Sequence, residues 1–417
     1  MSKDKHFIGQ PIFGQLLNFV DKGDIRRLAK SQQADRYIKK LDGLTHFITM
    51  LYAVIGGFDS LREVVISLLS NATKLSHLSI NYSAKRSTLA DANKRRASSF
   101  FGSIYKMLYK QYACILSDSH LSKADMKRLY IMDSTTITLF KEILKGVGRN
   151  SKSGKKKGGM KAHTLIKASE NTPCLIRYTG AATHDHILLK EINLAQGSII
   201  VFDKGYVDYA AYEQFTDQGV WYVTKLKSNA LYSSVQEIDI PDTADNGILI
   251  DEIIELRYGK GKELVHTARR IAYWDEQKKK VLVFLTNNTD FEAEMIIEIY
   301  RRRWQIELLF KQLKQNFPLK YFLGDNVNAI EIQIWTAMIA NLLLMLVRSR
   351  VKRQWAFSNM TSLLRGQLMS YINLYSFLND PEKTWREKNE AYKREMQLSI
   401  FPTYGGGHGF IKQKSHI

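Results

Sequence analysis

The sequence predicts an α/β protein in which a mixed-sheet core follows a helical N-terminal region and carries a strand-rich insertion. Three observations lead there. Apolar residues recur at helical spacing from Pro11 to Leu69. Two short apolar runs, ending at Asp133 and at Asp203, each stop on an acid. Four strand-like runs then succeed one another between Val207 and Asn288.

In the N-terminal stretch, Leu16-Leu17-Phe19-Val20 and Phe47-Ile48-Leu51-Tyr52-Ile55 keep the helical period, and Gly23, Gly43 and Gly56-Gly57 interrupt it, which gives a small helical domain over residues 1–78. Residues 79–126 read as a basic linker with helices. Its segment Ser83 to Arg96 has basic residues at both ends and a Ser87/Thr88 start signal before a polar helix. That helix suits an anionic partner; on charge alone a solvated helix is an equal alternative.

The core begins over 127–206. LYIMD is a strand that stops at Asp133, and Gly146 to Lys161, rich in Gly, Ser and Lys, is an exposed loop able to order on a phosphate backbone or simply to be solvated. MKAHTLIKA and TPCLIRYTG form a hairpin about Ser169-Glu170-Asn171, His186 to Ala195 fits a helix, and the next strand ends at Asp203. Residues 207–289 supply a short helix and the runs GVWYVTKL, GILIDEIIELRY, ELVHTARRIAYW and KKVLVFLT, read as an inserted β subdomain. Over 290–350 the core resumes with a long helix, Phe291 to Phe317, and a buried one, Asn326 to Arg348. A C-terminal helical region and frayed tail occupy 351–417.

Composition narrows the partner. Lys plus Arg number 61 against 41 Asp plus Glu, and the resulting +20 attracts polyanions. The most apolar stretch, Ile330 to Val347, contains Glu331, Gln333 and Asn341, so a buried helix is expected rather than a membrane span. Met1 to Gln10 has no apolar h-region, so no secretion signal is expected. The two cysteines, Cys114 and Cys174, form no CxxC, and a cytoplasmic setting follows.

Asp133 and Asp203 stand where a mixed sheet presents functional side chains, beyond the carboxyl ends of its strands; taken singly, an Asp after a strand more often caps a turn or a helix. The sharper signal is IYRRRWQIELLFKQLK, Ile299 to Lys314. Tyr300, Arg303, Glu307 and Lys314 fall within an arc of about 60° on a continuous helix, beside an apolar face of Ile306, Leu309, Phe310 and Leu313. An ordinary amphipathic helix with Arg303 and Glu307 paired is the plain alternative.

The spacing Tyr-x2-Arg-x3-Glu-x6-Lys resembles the signature of the bacterial insertion-sequence DDE transposases of the IS-four type, the group that includes the Tn-five transposase. IMDSTT around Asp133 is similar to that family's first acidic block, and FDKGY, with Asp203, Gly205 and Tyr206, to its second. GQPIFGQLLNFV and FLGDNVNAIEIQIW also look like family blocks, so the resemblance spans nearly the whole chain.

The resemblance implies a ribonuclease H-like core, an N-terminal DNA-binding domain and a catalytic triad of Asp133, Asp203 and Glu307, with Tyr300, Arg303 and Lys314 gripping DNA phosphates. Three carboxylates suit two Mg²⁺ ions, or Mn²⁺, about 3.5–4 Å apart, in an in-line displacement that needs no covalent protein nucleophile. The implied activity is binding of terminal inverted repeats, cleavage at the element ends and joining of the 3′-hydroxyls to target DNA, in a homodimer that pairs two ends. A catalytically silent DNA-binding derivative and a nuclease without strand transfer are the alternatives.

Some residues sit at the margin of this reading. Lys161 and His163 alternate on the second strand and are expected to be a surface pair; His184 and His186 lack a third ligand for a metal and are expected to cap a loop. In place of a Trp that some members carry before the Leu-Thr-Asn block, this chain has Val281 to Phe284. Trp274 is too far upstream in sequence to be an obvious substitute, so Phe284 or another insertion aromatic is the candidate stacking surface, and a hairpin route of cleavage stays open.

Overall fold

The computed structural model describes residues 9–38, 40–116, 128–138, 159–170, 172–180, 185–240, 247–259, 261, 263–319 and 321–400. The N-terminal periodicity becomes helices α1 (Ile12–Leu17), α2 (Lys22–Ser31), α3 (Gly43–Gly56), α4 (Leu61–Ser70), α5 (Arg86–Arg95) and α6 (Ser98–Leu116). Local chemistry sets their ends. Asp21 accepts from the backbone N–H groups of Gly23 and Asp24 at the start of α2, Asp42 from that of Thr45 in α3, and Ser60 from that of Glu63 in α4. Gly57, at φ 74°, closes α3 in the left-handed region that glycine tolerates. Helix α3 is apolar on every side and buried from Gly43 to Ile55, so other elements must surround it.

The strands are β1 (Leu129–Thr138), β2 (Gly159–Lys167), β3 (Thr172–Gly180) and β4 (Ile199–Phe202), then, after α7 (Tyr209–Asp217), β5 (Trp221–Lys225), β6 (Tyr232–Glu237), β7 (Ile248–Tyr258), β8 (Leu264–Asp275) and β9 (Lys280–Thr286). The described strands make one nine-stranded sheet in the order β3-β2-β1-β4-β5-β9-β8-β7-β6. Strands β1, β4 and β5 are mutually parallel, and the other pairings are antiparallel. The expected hairpin is β2–β3. Of the four strand-like runs after Val207, the first is β5, inside the parallel part; the rest continue the same sheet because β9 pairs with β5.

The chain closes with α8 (Ala293–Arg302), α9 (Trp304–Asn316), α10 (Val327–Arg350), α11 (Phe357–Gln367), α12 (Leu374–Asn379) and α13 (Lys383–Ile400). Helix α10 is long and apolar enough to cross a membrane by composition, yet it lies inside the protein, packed by α3, α6 and α5. Each fully buried Leu or Ile contributes roughly 1.5–3 kcal/mol before conformational entropy is charged against it, so the row Ile330 to Val347 is a principal source of cohesion. The N-terminal helices share one continuous apolar core with α9, α10, α11 and one face of the sheet. Backbone bonds also tie the ends together: Ile12 N–H donates to Ser370 C=O and Phe13 N–H to Leu368 C=O.

Three local expectations are corrected. Strand β1 does not stop at Asp133 but runs to Thr138, because Ser134 to Thr138 pair with His163 to Gly159 of β2. The segment from His186 to Ala195 forms only a 3-10 turn, Asp185–Glu191. The long helix from Phe291 to Phe317 is two helices broken at Arg303, where the N–H of Arg303 bonds the near carbonyl of Tyr300. Helix α8 packs on β4, β5 and β9, whereas α9 packs on β1.

Candidate active site

Register brings the two aspartates together. In the parallel pair β1–β4, Met132 lies opposite Phe202, so Asp133 and Asp203 follow at adjacent positions where the β4 strand ends. Helix α9 then delivers Glu307. The Arg303 guanidinium joins two of the acids, donating through Nη1 to Asp133 Oδ2 at 3.0 Å and through Nη2 to Glu307 Oε1 at 2.5 Å. Tyr300 donates its hydroxyl to Asp203 Oδ1 at 3.2 Å. Five of the predicted groups therefore meet across the break between α8 and α9, with Tyr300 facing one aspartate and Arg303 the other.

The electrostatics are those of crowded carboxylates. Burial pushes the Asp133 carboxyl up to about 6; the Ser134 N–H and Arg303 pull it down, while Asp203 and Glu307 push it further up. Burial alone would weaken the hold of Arg303 on its proton, but Tyr300, Glu307 and Asp133 outweigh it and hold the group above its ordinary value. The Tyr300 hydroxyl is raised by burial, against the opposing pull of Arg303. Lys314 lines a small cavity with Thr135 and Thr164, next to Asp133 along β1 and across β2, and burial lowers its affinity for a proton.

Sequence reasoning passed over Lys225, at the end of β5. Its Nζ lies 4.7 Å from the centre of the Tyr300 ring, and burial, reinforced by Lys278, lowers its proton affinity beside Asp203. The available signal was a lysine closing the strand adjacent to the one that ends at Asp203.

Two expectations fail here. Lys161 and His163 are buried, 5% and 1% exposed, because both faces of β2 are covered, as the burial of every residue from Met160 to Ile166 shows; His163 Nε2 lies 2.7 Å from Thr179 Oγ1. Phe284 is not an open stacking surface: it is 1% exposed and packs on Tyr300 with ring centres 5.1 Å apart. Trp274, distant in sequence, is the cross-strand partner of Val281 and partly exposed. His184 and residues 146–158 of the lysine-rich segment lie outside the described residues.

A family model described as a transposase DDE domain matches residues 125–343, the span that carries all of these groups. The chain belongs to the DDE transposase family. A second model, described as a domain of unknown function, matches 8–81. The protein y4zB of Sinorhizobium fredii, named as a transposase, is 32% identical over 257 residues, covering 61% of this chain and 69% of that one. The protein named as the transposase of insertion element IS4SA from Synechocystis is 26% identical over 268 residues, 63% of this chain and 71% of that one. That of IS5377 from Geobacillus stearothermophilus is 24% identical over 229 residues, 55% and 59%. This DDE transposase is thus of the bacterial insertion-sequence kind, with DNA as its partner and a dependence on divalent metal implied by its family.

Among the described residues no three His, Cys, Asp or Glu are drawn together closely enough to hold an ion as arranged. The donor chemistry of the transposase nevertheless fits a hard divalent cation. Asp133, Asp203 and Glu307 offer only carboxylate oxygens, and their mutual repulsion, visible at Asp133, is what such a cation relieves. The Arg303 guanidinium now serves as the cation between two of them.

Proposed function

We propose that the chain binds the terminal inverted repeats of its element, cleaves DNA at the ends and joins the 3′-hydroxyls to target DNA by two-metal phosphoryl transfer, with Asp133, Asp203 and Glu307 as the catalytic, metal-holding acids. The observation that carries this reading is the pair of contacts by which Arg303 joins Asp133 to Glu307 while Tyr300, on the same side of the sheet, holds Asp203. The strand order β3-β2-β1-β4-β5, with β2 antiparallel, supports a ribonuclease H-like plan for the catalytic half.

Bound Mg²⁺ would supply Lewis-acid polarisation of the phosphate and a more acidic attacking water or hydroxyl. The protein's own groups do the remaining work. Arg303 presents a planar fork to phosphate oxygens, Lys314 a compact charge, and Tyr300 one hydrogen-bond donor. The Phe284 ring beneath Tyr300 fixes the direction of its hydroxyl. Pairing of two element ends calls for a homodimer, and the bacterial cytoplasm, at the nucleoid, is the setting that offers the substrate.

The test uses purified protein, DNA bearing the element's own ends and Mg²⁺. Wild type should nick the ends and, given pre-cleaved ends, form joined products; Glu307→Gln and Asp133→Ala should bind the same DNA and do neither. Cleavage retained in Glu307→Gln would remove Glu307 from the triad. Binding without cleavage in wild type would make the chain a silent DNA-binding protein, and cleavage without joining a nuclease.

A further inference from the structure

Away from the acids, the N-terminal helices enclose a cavity of about 660 Å³ between the loop from α2 to α3 and helix α5. That volume lies within the roughly 300–1,000 Å³ of small-ligand sites. Phe100 forms a buried apolar wall; Tyr82 is half-buried, and Tyr37 stands 89% exposed at the edge. Three exposed cations surround the opening. Arg36 lies over the Tyr37 ring at 4.9 Å and Lys40 over the Tyr82 ring at 5.6 Å, while Arg95 comes from the last turn of α5. Among the described residues no carboxylate pairs with any of the three. Thr88 and Asp91, one helical turn apart on α5, add hydrogen-bonding groups to the lining.

The loop is held in place rather than draped. Arg96, 3% exposed, donates to the carbonyls of Ala34 and Leu41 at 3.0 and 2.9 Å and to Asp35 Oδ1 at 3.0 Å, and lies 2.8 Å from His46 Nδ1. Asn328 of α10 in turn donates to the carbonyls of Asn93 and Arg96. Within this frame Tyr37 sits at φ 61°, a left-handed conformation that is uncommon for a bulky residue and persists only where surrounding contacts impose it.

We propose that this cavity is a binding site for an unstacked nucleobase of DNA, sandwiched by Tyr37 and Tyr82, with Arg36, Lys40 and Arg95 on the flanking phosphates. Aromatic surfaces beneath cations are what single-stranded nucleic acid selects: the ring receives the base and the cation the backbone. A small apolar ligand would leave the three cations idle, and a paired duplex has no free base face to offer the aromatic lining. Lys85, which precedes α5, and Arg86 and Lys94 on it are also exposed, which adds positive charge to the same helix.

The inference rests on the reading of the chain as a DNA-processing enzyme, and one set of measurements separates the two. Full-length protein in EDTA is titrated into short single-stranded DNA of mixed sequence carrying one 2-aminopurine, with anisotropy reporting affinity and fluorescence reporting stacking. Wild type should quench the probe. Tyr37→Ala and Tyr82→Ala should lose most of the quenching and bind about five- to tenfold more weakly, the low end for one stacked base. Tyr37→Phe should retain both signals, and Lys40→Ala should lower the salt slope by about 0.7, one phosphate contact on a single strand, while quenching persists. Tyr37 is exposed, so its variants should melt like wild type. Unchanged affinity and quenching in both alanine variants would overturn the site, as would a wild type that binds duplex but not the single strand. A wild type that quenches through Tyr37 yet neither cleaves nor joins with Mg²⁺ would keep the site and overturn the catalytic reading.

Discussion

Asp133→Asn should stabilise the metal-free protein at neutral pH while ending its chemistry. An ordinary aspartate titrates near 3.9, and in the fold Asp133 is pushed up to about 6. The native state therefore holds this proton more tightly than the unfolded chain does. Stability falls as pH rises through that window: no penalty applies below about 4, and all of it applies above about 6. The gap amounts to about 3 kcal/mol of differential interaction. The side chain is only 18% exposed, so solvent screening removes little of it. At about 2.1 cal/mol/K of unfolding entropy per residue, 417 residues give roughly 0.9 kcal/mol/K, and the penalty corresponds to about 3 °C in Tm. Melting curves in EDTA from pH 4 to 7.5 should show the variant gaining on wild type by that amount as pH rises. Mg²⁺ should then raise wild type more than the variant, because a ligand oxygen has been lost. A difference between the two proteins that is flat with pH would refute the assignment of this proton.

Other outcomes follow from single contacts. Tyr300→Phe removes one hydrogen bond to Asp203 and keeps the ring on Phe284, so urea unfolding should report a loss of about 1 kcal/mol while the cleavage rate falls by a larger factor. Lys314→Ala should weaken DNA binding and reduce the slope of log affinity against log salt by about one, as titrations at several salt concentrations would show. Arg269 and Asp251 form a buried two-bond pair linking β7 and β8, with side chains 5% and 4% exposed. Arg269→Ala should cost about 3–5 kcal/mol in urea unfolding, and the double change Arg269→Met with Asp251→Leu much less, because it leaves no lone buried charge.

The strands and the two aspartates were legible because alternation and apolar runs are local signals. What the sequence concealed was set by neighbours. Ser134 to Thr138 look like a turn in isolation, yet β-branched residues beside a waiting strand extend β1. The spacing of Tyr300, Arg303 and Glu307 fits one helix, and nothing in it marks the break at Arg303, on either side of which the helices pack on different strands. The alternation of Lys161 and His163 was readable, but not that both faces of β2 are covered. Sequence distance also misled: Trp274 and Val281 are seven positions apart and still opposite each other, because the hairpin between them folds the chain back. The cavity beside α5 combines residues from two separated segments; the basic charge of Ser83 to Arg96 was readable, but not that the loop before α3 folds against it.

Helix α10 has a consequence that appears only when the molecule is followed in time. It is apolar enough for a membrane, and alone in water it would be a hazard. It leaves the ribosome late, however, and its chief packing partners, α3 and α6, were made long before it. Since chains fold from the N-terminus as they emerge, the helices that cover α10 have already been made when it arrives, and α3 and α10 can bury each other at once. The order of elements along the chain thus shortens the time for which a long apolar helix stands in water without cover.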